Sequence, residues 1–120
     1  MKYWELNKDR RIVLLHDFGG ELKAGYVSCL IPDVCELPSQ EEPILISKSA
    51  TIKDGASIGG FVIIDDDVVI GRHSKIGAFS TIKKGSIIGD YVEIGNGSNV
   101  GSGAKIGDGV VIGWNARLCE

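Results

Sequence analysis

From Ile46 to Arg117 an aliphatic residue recurs at every sixth position, with no insertion or deletion to break the count. The twelve units read ISKSAT, IKDGAS, IGGFVI, IDDDVV, IGRHSK, IGAFST, IKKGSI, IGDYVE, IGNGSN, VGSGAK, IGDGVV and IGWNAR. Their first residue is Ile eleven times and Val once, at Val100, and their fifth is always Ala, Val or Ser. A hexapeptide period is a signature of parallel β-helices, where each repeat buries its apolar side by stacking on its neighbours. Residues two apart in a strand face the same way. The fifth residue of one unit and the first of the next therefore face inward, and the sixth faces out. The second to fourth residues form a corner. Glycine is frequent there, and the fourth place also holds Asp67, His73 and Asn115, residue types that tolerate the left-handed backbone of a sharp corner.

Residues 1–43 lack this period and read as a small β-rich cap ahead of a repeat region over 44–120. Tyr3 to Leu6 is a short strand candidate, and a second places Ile12, Leu14, His16 and Phe18 on one side. Gly19-Gly20 supplies the positive φ of a tight hairpin turn, with Glu21 to Ile31 as the returning strand. Pro32, Pro38 and Pro43 then punctuate an extended approach to the repeats.

An aliphatic first residue, frequent glycine second and a small fifth residue, twelve times in succession, resemble the bacterial hexapeptide-repeat transferase superfamily. The resemblance spans Ile46 to Arg117. It implies an all-β fold, a left-handed parallel β-helix of triangular section with three units per coil, hence about four coils. The hand rests on the resemblance alone, since general crossover rules favour the opposite one.

With three units per coil, residues eighteen apart stack at roughly 4.8 Å. One corner then carries Phe61, Phe79, Gly97 and Asn115 with Trp114 alongside; another carries Gly55, His73, Tyr91 and Gly109 beside Asp54, Arg72, Asp90 and Asp108. A third holds Lys48, Asp66 and Lys84, and alternating charges on successive rungs read as register devices. Outward-facing Val69 and Ile87 stack on one face, to be covered by the N-terminal segment or by another subunit.

The resemblance also implies chemistry: an acyl-CoA lying in a groove between neighbouring β-helices, and a histidine acting as general base on the acceptor hydroxyl or amine. His73 is the one histidine in the repeats and so the catalytic candidate. Arg72, Asp90 and Tyr91 are its expected neighbours, with Asp90 orienting the ring; Phe61, Phe79 and Trp114 are candidates for contact with a substrate or partner. His73 stands at the fourth place of its unit and precedes Ser74, whereas the family's base often stands third and precedes Asp. No loop interrupts the coils. A second reading therefore stands beside acyl transfer: a non-catalytic β-helical scaffold for assembly. His16-Asp17 has the family's dipeptide, but in the N-terminal segment.

Composition narrows the rest. A net charge of −3 gives no electrostatic reason to expect nucleic acid, and no apolar run is long enough to span a bilayer. The N-terminus lacks the apolar core of a signal peptide, so a cytoplasmic protein is expected. Cys29, Cys35 and Cys119 suit reduced thiols, and Cys29 and Cys35 with His16 match no standard metal-ligand spacing. No cofactor is required by this reading; acyl-CoA enters as co-substrate. A homotrimer is the favoured assembly, as the resemblance implies. Leu118 opens a thirteenth unit, and the exposed coil beyond it admits truncation, end-to-end association or cover by Trp114 and the terminal residues. Metal-dependent carbonic anhydrase chemistry would need three histidines, and nucleotidyl transfer a glycine-rich phosphate loop on a preceding domain. An ice-binding face would need aligned threonine rows, whereas Thr51 and Thr81 fall on different faces.

Overall fold

A computed structural model describes residues 1–18 and 22–118. Three N-terminal strands, β1 (Trp4–Leu6), β2 (Arg11–Leu14) and β3 (Val27–Leu30), form an antiparallel sheet in that order. The returning strand is shorter than the sequence suggests, because Tyr26 precedes it in a turn closed by its N–H to Lys23 O. The Gly19-Gly20 turn and Glu21 lie outside the described residues.

Thirteen two-residue strands follow, from Leu45–Ile46 to Arg117–Leu118, and they wind into three parallel sheets. Face one stacks Leu45–Ile46, Ile63–Ile64, Thr81–Ile82, Asn99–Val100 and Arg117–Leu118. Face two stacks Thr51–Ile52, Val69–Ile70, Ile87–Ile88 and Lys105–Ile106; face three stacks Ser57–Ile58, Lys75–Ile76, Glu93–Ile94 and Val111–Ile112. Every pairing joins residues eighteen apart, as between Ile87 and Val69 or Glu93 and Lys75. The chain is thus a β-solenoid of about four turns with three units per turn.

The repeat positions divide as their chemistry requires. First-place aliphatics from Ile46 to Ile106 are buried, and no sixth-place residue is. Fourth-place residues from Gly55 to Asn115 all have φ between 55° and 80°. Fifth-place Ser74, Ser80, Ser86 and Ser98 are fully buried, and each hydroxyl donates to a corner carbonyl one rung on, at Gly89, Gly95, Gly101 and Gly113. Val110 breaks the pattern. It is exposed because no described rung packs on that coil.

The N-terminal sheet closes the opposite end. Trp4, Ile12, Cys29 and Ile31 join one apolar core with the repeat aliphatics from Ile46 to Ile106. Cys29 N–H donates to Ser47 O, Glu36 N–H to Ala56 O and Ile58 N–H to Glu36 O, so this segment pairs backbone groups that the first coil would otherwise leave open. It meets face two at Thr51–Ile52 and leaves Ile87 43% exposed. Among the described residues the N-terminal segment therefore does not cover the Val69–Ile87 pair: Val69 is half-buried and Ile87 exposed.

Candidate functional site

Face three is the side of the solenoid that carries the candidate residues, because the corners at its two margins are the ones with rings. At the margin shared with face two, His73 and Tyr91 stack with ring centroids 5.0 Å apart and planes 22° from parallel. At the margin shared with face one, Phe61 and Phe79 stack at 4.7 Å and 4°. All four residues have positive φ, between 55° and 63°. Rings in this conformation cost of order 1–3 kcal/mol each relative to glycine, and such strain concentrates where a surface has work to do. The two stacks lie one six-residue unit apart along the chain, so at most about 20 Å separates them.

Face three also carries an open groove of about 590 Å³, within the range of small-molecule sites, whose lining includes none of the four stacked rings. Lys75, Glu93 and Val111 form its floor, and Gly77, Asn96 and Trp114 its wall. Trp114 is 76% exposed, and its indole lies where a Cβ on Gly95 would sit. The groove-facing polar residues Lys75, Glu93 and Asn96 escape a sequence reading because each occupies a variable place of its unit.

The surroundings of His73 differ from expectation in one respect. Asp90 does not orient the imidazole. Its Oδ1 accepts the N–H of Arg72 at 2.8 Å, and Asp108 Oδ1 accepts the N–H of Asp90 at the same distance. Asn96 repeats the arrangement at the other margin, accepting from Ala78 N–H at 2.9 Å. These third-place carboxylates and amides are thus a ladder to the backbone one rung before. The ion-pair ladder expected from alternating charges is not formed: the ion pair among the described residues joins Arg10 and Asp33 in the cap, at 3.2 Å. Among the described residues nothing hydrogen-bonds the His73 ring, which lies over Gly55 where a Cβ would clash with it. His16, by contrast, contacts Lys2 O at 3.0 Å in the cap and packs on Tyr3, away from face three.

Burial raises the thiols of Cys29 and Cys35 to about 11, with Arg11 and Arg10 respectively opposing the shift. Cys119 lies outside the described residues. Among the described residues no three His, Cys, Asp or Glu side chains come together as a metal site requires. No helix of the described chain is long and apolar enough to cross a membrane.

The bacterial transferase hexapeptide family model, of six repeats, matches residues 49–84 and again 85–119. No curated protein matches the chain. Among solved structures, that of a putative acetyltransferase from Bacillus cereus is 19% identical, with a TM-score of 0.41 over 73% of this chain and 76% of that one. A likeness of that size says nothing of activity.

Proposed function

Because the chain belongs to the bacterial transferase hexapeptide family, we propose that face three is a transferase site at which an acyl group passes from acyl-CoA to a small hydroxyl or amine acceptor. The observation that carries this reading is the pair of strained ring stacks, His73–Tyr91 and Phe61–Phe79, at the two margins of face three. Spending backbone strain at four positions where glycine would serve is what a functional surface does.

In this reading His73 takes the proton from the acceptor as its oxygen or nitrogen attacks the thioester carbonyl. The tetrahedral adduct then collapses, the C–S bond breaks, and the imidazolium returns its proton to the departing CoA sulfur. Arg72, Asp90 and Tyr91 surround the acceptor, while Phe61, Phe79 and Trp114 offer apolar contact to the donor or to a second subunit. A homotrimer in the cytoplasm, with the donor in the groove between neighbouring solenoids, is the assembly this reading takes.

One observation favours a second reading, a non-catalytic scaffold. The His73 imidazole has no carboxylate or carbonyl to set its tautomer among the described residues, and its place is a corner that needs positive φ whatever stands there. Thermal unfolding with millimolar acetyl-CoA separates the two. A ligand that binds the folded chain raises the melting temperature; an unchanged melting temperature across the millimolar range would discard acyl transfer and leave the scaffold.

A further inference from the structure

Asn96-Gly97 is the one Asn-Gly dipeptide of the chain. In an unfolded polypeptide this pairing is the most reactive setting for an asparagine, because glycine has no Cβ to keep its backbone nitrogen away from the side-chain amide carbon. The Gly97 nitrogen bonds to Asn96 Cγ, the Cγ–Nδ2 bond breaks, and ammonia leaves with the proton that the Gly97 nitrogen gives up. Water then opens the cyclic imide at one carbonyl to give aspartate, or at the other to give isoaspartate. Asn7, Asn99 and Asn115 precede Lys8, Val100 and Ala116, whose side chains hinder the same attack.

The solenoid holds each group that this reaction must move. Gly97 N–H donates to Ala78 O at 2.8 Å, and Ala78 N–H donates to Asn96 Oδ1 at 2.9 Å, so one residue of the rung before clamps both reacting partners. From the rung after, Asn115 N–H donates to Asn96 O at 2.8 Å, and the Asn115 amide lies where a Cβ on Gly97 would sit. Closing the imide turns the Asn96–Gly97 peptide plane and draws the amide off Ala78. These bonds must break first.

The two products have different fates in this fold. Aspartate keeps the ladder, since Asp90 and Asp108 make the equivalent bond at 2.8 Å to the residue eighteen before. Isoaspartate routes the main chain through the side-chain carbons, and the extra backbone atom falls between strands that must stay in register: Thr81 with Asn99, Ile87 with Lys105 and Glu93 with Val111. We propose that Asn96 is a hydrolytic modification site that the fold keeps closed, so that isoaspartate there accumulates in chains that spend time unfolded and bars them from refolding.

The test ages the whole chain at mildly alkaline pH, folded in buffer and unfolded in guanidinium chloride. Peptide mass spectrometry with electron-transfer fragmentation then counts amide, aspartate and isoaspartate at each asparagine. Three hydrogen bonds of ordinary net strength should slow Asn96 about a hundredfold in the folded chain, while the other asparagines stay amides even in denaturant. Ala78→Pro removes the N–H donor and keeps the carbonyl, and should speed conversion in the folded chain about fivefold. A second test needs no variant. After dilution of the aged, unfolded parent, size-exclusion chromatography should find the amide and aspartate forms in the refolded fraction and the isoaspartate form outside it. Asn96→Asp should melt within a few degrees of the parent. Equal conversion of the folded and unfolded parent, or isoaspartate spread evenly between refolded and unrefolded fractions, would overturn the proposal. No readout uses acyl-CoA, so the result is separate from the fate of the transferase reading.

Discussion

Ser74 and Val92 are joined across one rung of the interior: the Val92 N–H donates to Ser74 Oγ at 3.1 Å, and that hydroxyl donates in turn to Gly89 O at 2.6 Å. A fully buried hydroxyl thus satisfies one donor and one acceptor of the next corner. Ser98 does the same for Ala116 and Gly113. A small inward residue need not be apolar here, because the corner leaves backbone groups for it to pair.

Replacing Ser74 with Ala leaves Gly89 O without that donor in the interior. The N–H has a fallback. At other corners the equivalent N–H closes a turn onto the carbonyl three residues before, as Ser86 does with Lys83 and Ala104 with Gly101, both at 3.3 Å. Ser74→Ala should therefore cost about 1 kcal/mol, at the low end for a buried orphan. The midpoint of urea unfolding would read it; an unchanged midpoint would mean that water or a backbone shift replaces the hydroxyl.

Gly71 is a closer constraint. A Cβ there would fall on Gly89 O, with Gly89 C and Asp90 N also too near, and all three are backbone atoms that cannot rotate away. Gly71→Ala should cost about 2 kcal/mol, the scale of overpacking a tight interior, although the same change at an unstrained open site is mildly stabilising. Circular dichroism melting checks the sign, and a raised melting temperature would contradict the packing.

The twelve units made the solenoid, its eighteen-residue register and both ring stacks legible, because period and stacking are the same physics. His73 over Tyr91 and Phe61 over Phe79 follow from arithmetic on the sequence once three units make a coil. The partner of Asp90 did not follow. A carboxylate next to arginine in a column suggests an ion pair, and only coordinates reveal that the nearer donor is the Arg72 backbone N–H. Likewise Ser74 and Ala56 look alike as small inward residues, and only the geometry gives the hydroxyl two bonds. The cap's role was legible in outline, since Pro-punctuated chain must approach the first coil somewhere. That Glu36 pairs with Ala56 and Ile58 depends on non-repeating backbone that no period encodes.

Cys29 gives a pH prediction. Burial raises its thiol from 9.0 to about 11, so the folded chain holds that proton more tightly than the unfolded one. The associated stability is complete below pH 9.0, falls as the unfolded thiol ionises and is lost by about 11. Two pKa units correspond to about 2.7 kcal/mol at most. Denaturant unfolding between pH 8 and 11 should lose less stability in Cys29→Ala than in the parent chain. Parallel pH curves for the two would show that the thiol does not ionise differently on unfolding.

His73→Asn isolates chemistry from conformation. Asn tolerates φ near 55°, as Asn115 shows at the equivalent corner, so the backbone of the unit survives. Only the Tyr91 stack is lost, worth about 1 kcal/mol at an exposed site. The melting temperature should fall by a few degrees at most. If His73 is the base, release of free CoA from acetyl-CoA in the presence of an acceptor should drop by about 10²-fold or more, the usual contribution of a positioned imidazole. Acetyl-CoA binding should stay unchanged, since the ring acts on the acceptor. Retained turnover in His73→Asn would remove His73 as the base while leaving the groove on face three as a binding surface.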